Sequence, residues 1–97
     1  MNSYPGANAE MEAQIRDVLG ALRGTLTATE CSEVTTFLDA REYGVALGTL
    51  SWILVEESKR IDPGILQEID RLAAGMHLRD ERFMYDLHNS YDRQRAA

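Results

Sequence analysis

A chain of 97 residues is long enough for one modest hydrophobic core and too short for two. Hydrophobic residues at 44% and charged residues at 27% place it among ordinary globular chains and away from disordered ones. With 16 acidic against 10 basic side chains the net charge is −6, a field that opposes phosphate backbones, argues against nucleic acid as a partner and favours encounter with basic proteins.

The acidic surplus is uneven along the chain. Residues 1–70 hold 12 acidic and 5 basic side chains, whereas residues 71–97 hold 4 and 5. Cys31 stands alone, so no internal disulfide forms, and its place on an apolar stripe fits a buried thiol in a reducing cytoplasm. The start, MNSYPGANAEMEAQ, lacks the basic and apolar regions of a signal peptide, and no apolar run approaches the roughly 18 residues of a membrane span.

Residues 1–7, with Pro5 and Gly6, read as a flexible lead-in. From Asn8, Met11, Ile15, Val18, Leu19 and Leu22 recur at helical spacing, giving a first helix to about Arg23 that Gly24 is placed to end. "LTATEC" opens a second helix. Thr27 and Glu30 form a capping box, Leu26 and Cys31 flank it as a hydrophobic staple, and the stripe Cys31, Val34, Phe37, Leu38 follows.

In "LDAREY" the same plan recurs twelve residues later, with Asp39 as N-cap, Glu42 at N3, and Leu38 with Tyr43 as the staple. This predicts a sharp corner into a central helix over about 40–59. That helix is apolar on two faces: Tyr43, Ala46, Leu47, Leu50, Ile53 and Leu54 on one, Val45, Trp52 and Val55 nearly opposite. Gly44 and Gly48 expose backbone on the second face and predict close approach of another helix, since each gives up roughly 1 kcal/mol of helix propensity. Trp52 is expected in the core; the alternative is an anchor in an interface.

"RIDPGIL" gives a further start, with Asp62 as N-cap, Pro63 at N1 and Ile61 with Leu66 as staple; Ile65, Leu66, Ile69, Leu72, Ala73 and Met76 continue the stripe. Phe83, Leu87 and Tyr91 mark a fifth helix from Asp80 to about Arg93, followed by a frayed tail over 94–97. The expectation is therefore all-α, a compact bundle of four to five short helices forming a single domain over residues 8–93.

Chemistry is sparse. There is no Gly-rich phosphate loop, no Cys or His cluster at metal-ligand spacing and no nucleophile elbow, so no catalytic residue, metal or cofactor is expected. His88 and Asp92 stand one helical turn apart, a spacing that suits a metal or a general base and that is also commonplace on exposed helices. The acidic cluster is the better signal. Glu30, Glu33, Asp39, Glu42, Glu56 and Glu57 lie within residues 30–57 with Arg41 as the one opposing charge before Lys59. Capping accounts for Glu30, Asp39 and Glu42 but not for Glu56 and Glu57.

The segment "FLDAREYGVALGTLSWILVEE" followed by "IDPGILQEIDRLAAGM" resembles the MafI family of bacterial immunity proteins over about residues 26–78. The matching positions are Phe37, Leu38, Asp39, Glu42, Tyr43, Gly44, Ala46, Leu47, Leu50, Leu54, Glu56, Glu57, Ile69 and Met76; Arg41 departs from the small residue the pattern favours. The resemblance implies a cytoplasmic antidote that performs no catalysis and neutralises the C-terminal domain of a cognate toxin in a polymorphic, contact-dependent inhibition system. Such toxins are often nucleases with basic channels, which an acidic surface can block. On that reading Asp39, Glu42, Glu56 and Glu57 are the expected contacts, with Trp52 as the apolar anchor. A helical adaptor or homodimerisation module without a toxin partner is the competing expectation, motivated by Val45, Trp52 and Val55.

Overall fold

The structure, a computed structural model, describes residues 5–96, and side chains from Ala9 onward. Five helices follow in order: α1 (Pro5–Ala21), α2 (Ala28–Asp39), α3 (Tyr43–Glu56), α4 (Pro63–Gly75) and α5 (Arg82–Ala96). The fold is all-α, with no strand among the described residues.

Helix α3 is central and packs against each of the other four. It buries Ala46, Leu47, Leu50, Ser51, Ile53 and Leu54, and its neighbours close around them with Ile15 and Val18 from α1, Val34 and Leu38 from α2, Ile69 and Leu72 from α4, and Met84 and Leu87 from α5. Ser51 is accommodated because its hydroxyl donates to the Leu47 carbonyl one turn back, at 2.9 Å. Directions follow from side-chain contacts. An ion pair joins Glu30 at the start of α2 to Lys59 just after α3, so those helices run antiparallel. Phe83 lies on Gly48, while Gln94 reaches the connector beyond α3, so α5 runs parallel to α3 with α4 returning between them in the chain.

The caps at Thr27 and Asp62 form as the sequence dictates. Thr27 accepts from the Glu30 N–H at 3.1 Å while Glu30 accepts from the Thr27 N–H at 2.9 Å, and Asp62 accepts from Gly64 N–H at 2.9 Å ahead of Pro63 at N1. The third expected cap does not form. Helix α2 continues through Asp39, Ala40 is its C-cap, and Arg41 turns the chain with a left-handed φ of 61°. Arg41 N–H then bonds the Leu38 carbonyl at 3.0 Å and Glu42 N–H the Phe37 carbonyl at 2.9 Å, the paired bonds of a Schellman turn. These bonds satisfy the last carbonyls of α2 and leave Asp39 inside its final turn. Glu42 takes the N-cap position of α3, and its side chain makes no capping bond.

Other boundaries also move. Residues 5–7, expected in the lead-in, are helical from Pro5, a residue suited to a first helical turn; residues 1–4 of that lead-in lie outside the described residues. The central helix expected over 40–59 occupies Tyr43–Glu56, because Schellman turns close it off on both sides. The tail expected to fray from 94 is helical to Ala96, held where the Gln94 amide accepts from Ile61 N–H at 2.9 Å and donates to the Lys59 carbonyl at 2.7 Å; Ala97 lies outside the described residues. Gly24 has no left-handed φ, and α1 unwinds through tight turns over 22–26 instead.

Candidate functional site

The best candidate site is the outer face of α3. At about 100° per residue, Val45, Thr49, Trp52 and Glu56 fall within about 60° of one another. Val45 and Trp52 are 46% and 57% exposed, which corrects the expectation that Trp52 belongs to the core. The cause is coverage. The opposite face of α3 is occupied by the core, and the outer face is met by the α4–α5 turn and the start of α5, through Leu78, Glu81 and Phe83. Those residues and the α3 strip enclose an open groove of about 430 Å³.

Gly44 and Gly48 form its floor. The Leu78 methyl comes within 3.3 Å of where a Gly44 Cβ would stand, and the Phe83 ring within 3.5 Å of the equivalent point at Gly48. The close approach read from the two glycines is therefore real. It comes from a turn and the first residues of α5 and leaves Val45 and Trp52 exposed, whereas Val55, expected on the same face, is half-buried against the core.

The sequence-predicted contacts are distributed unequally around this face. Asp39 is exposed and engaged: its carboxylate accepts from Arg16 at 2.9 Å, Arg16 also binds Glu12, and the Tyr43 hydroxyl donates to Glu12 at 3.2 Å. That chain ties α1 to the corner between α2 and α3. Asp39 and then Glu12 hold the Arg16 guanidinium more firmly protonated, while burial and the bond to Glu12 push the Tyr43 phenol up from its usual value. Glu42, Glu56 and Glu57 are exposed, and no ion pair to them occurs among the described residues. Glu42 and Glu56 are 14 positions apart, about 21 Å of helix, so these acids form no single cluster; they stand at opposite ends of α3 with Val45 and Trp52 between them.

Glu30 is committed elsewhere. Its capping bond from Thr27, followed by the pairing with Lys59, lowers its pKa below the usual carboxylate value. His88 does not act with Asp92. Its Nε2 lies 2.7 Å from Asp70 Oδ1, clipping α5 to α4 at the edge of a depression of about 460 Å³ that Arg79 and Tyr85 also line. Among the described residues no three His, Cys, Asp or Glu side chains come together as a metal-binding group. The sequence reading missed Leu78, Glu81 and Phe83, whose signal lay in what Gly44 and Gly48 required rather than in their own surroundings. Compared with protein-family models, with curated proteins and with solved structures, the chain matches none.

Proposed function

We propose that this protein is a MafI-like immunity protein: a cytoplasmic antidote that binds the C-terminal domain of a cognate bacterial toxin, a nuclease, and neutralises it by non-covalent blocking with an acidic surface. The observation that carries the reading is the string from Phe37 to Glu57, whose exposed members Glu42, Trp52, Glu56 and Glu57 lie along one central helix without a structural duty of their own. Six surplus negative charges favour rapid encounter with a basic toxin surface, and that attraction falls with ionic strength. Neither catalysis, nor a cofactor, nor nucleic acid, nor a membrane enters this function. None of the described helices is long and apolar enough to cross a membrane.

The test is direct. The proposal expects a toxin gene beside this one; its toxin domain, mixed with the purified protein at micromolar concentration in low salt, is expected to form a stable complex that loses nuclease activity and weakens as salt rises. Absence of a complex under those conditions removes the proposal. A second reading, a homodimerisation or adaptor module, draws on the exposure of Val45 and Trp52. Sedimentation equilibrium separates the two, because an immunity monomer stays monomeric until toxin is added. Retention of toxin neutralisation by His88→Ala and His77→Ala is expected, and its loss in a variant that keeps the wild-type unfolding midpoint would revive a catalytic role.

A further inference from the structure

We infer that the groove on α3 is the docking site for a basic amphipathic helix presented by the partner, an inference that takes from the immunity reading only the partner's identity as a toxin. Three features select this occupant. The first is shape: an open apolar trough backed by Gly44 and Gly48 and walled by Trp52 and Phe83 follows the α3 axis from Gly44 to Trp52, about 12 Å, the span of two turns of an apposed helix. The second is its apolar content, with Val45 and Trp52 exposed on one face of α3, two turns apart, on a small protein.

Charge is the third and decides the occupant. Glu81 lines the trough, and along α3 exposed Glu42 precedes it by two residues and exposed Glu56 follows Trp52 by one turn. Of the nearby cations, Arg82 pairs with Asp86 and Arg16 with Glu12 and Asp39. Exposed Arg41 makes no ion pair among the described residues and offsets Glu42, so Glu56 and Glu81 carry the negative rim. A helix with apolar residues at i, i+3 and i+4 and with Lys or Arg at its margins satisfies both the floor and the rim. A second copy of this chain does not. An antiparallel self-pairing would bring Glu42 of one copy against Glu56 of the other and add Glu81 from both, like charges meeting across an apolar contact.

Trp52 is the only tryptophan, so its emission reports on the groove directly. The probes are an ~18-residue helical peptide of leucine and lysine at amphipathic spacing, and its leucine–glutamate counterpart, neither containing an aromatic residue. The lysine peptide is expected to shift Trp52 emission to the blue and saturate, with affinity falling about tenfold or more between low salt and ~0.5 M. The glutamate peptide is expected to leave emission unchanged. Val45→Lys places a cation in the exposed floor and is expected to weaken lysine-peptide binding about tenfold. Glu10→Gln, on α1, is expected to leave it unaltered.

No shift with the lysine peptide, an equal shift with the glutamate peptide, or a concentration-dependent blue shift of the chain alone each overturns the inference, the last in favour of a second copy. The toxin complex separates this inference from the function it rests on. If wild-type protein and Val45→Lys bind the toxin equally, the docking site is wrong and the immunity reading stands. If the wild type binds the lysine peptide and no toxin, the groove stands and the immunity reading falls.

Discussion

Glu30 joins two structural roles in one carboxylate, closing the capping box of α2 and pairing with Lys59 beyond α3. Both favour its ionised form, so its folded pKa lies below its unfolded one. The resulting stability is fully present above the ordinary Glu pKa of about 4.3 and is lost as pH falls through the lower folded value. Thermal midpoints measured through that acid range are therefore expected to drop for the wild type, and to drop less steeply for Glu30→Gln. Asp39 carries a different lesson. Its ion pair with Arg16 is exposed, so Asp39→Asn is expected to cost no more than about 1 kcal/mol in urea unfolding. Any loss of toxin binding in that variant would still have to be separated from a shifted α1. Glu56 and Glu57 have no such tie, and Glu56→Lys with Glu57→Lys is expected to leave the unfolding midpoint within about 0.5 kcal/mol while slowing toxin association.

At the scale of elements, α2, α3 and α4 all end in the same way. Arg41, Ser58 and His77 each sit at φ between 51° and 61°, just beyond the C-cap, with the pair of backbone bonds that defines a Schellman turn. Glycine is the residue that adopts this conformation without a Cβ clash, and none of the chain's described glycines is used for it. Arg41→Gly and Ser58→Gly are expected to raise stability by about 1 kcal/mol each in urea titrations, because the folded conformation is kept and its steric cost removed. Gly48 offers the opposite exchange. A Cβ there meets Phe83 at an ordinary 3.5 Å, so Gly48→Ala is expected to stabilise α3 by up to about 1 kcal/mol while filling the floor of the groove and weakening its occupant. At Gly44 the same methyl meets Leu78 at 3.3 Å, and the gain is expected to be smaller.

At the scale of the molecule, one core joins all five helices around Leu47, Leu50 and Leu54, which are fully buried. Leu47→Ala is expected to cost about 2–5 kcal/mol in denaturant unfolding, enough to threaten a domain of this size. The C-terminal helix belongs to that core rather than to a loose tail. Met84, Leu87 and Ser90 face inward, where the spacing of Phe83, Leu87 and Tyr91 suggested a neighbouring stripe, and the Gln94 amide closes the far end on the α3–α4 connector.

The sequence by itself determined an all-α bundle of four to five helices, the central place of α3, the caps at Thr27 and Asp62 and the core-facing stripes of α1, α2 and α4. These follow from local rules: periodicity fixes which side chains share a face, and capping pairs lie within three residues of each other. It misread Asp39, because an Asp followed three residues later by a Glu reads as a helix start. The left-handed turn at Arg41 instead keeps Asp39 in the last turn of α2, where its pair with Arg16 offsets an unfavourable place on the helix dipole. It misplaced Trp52 for a longer-range reason. Two apolar faces on one helix show that both want cover, but whether a neighbour arrives depends on where the α4–α5 turn lands. Only the tertiary structure decided that Leu78 and Phe83 cover the two glycines and stop there, leaving Val45 and Trp52 exposed between carboxylates.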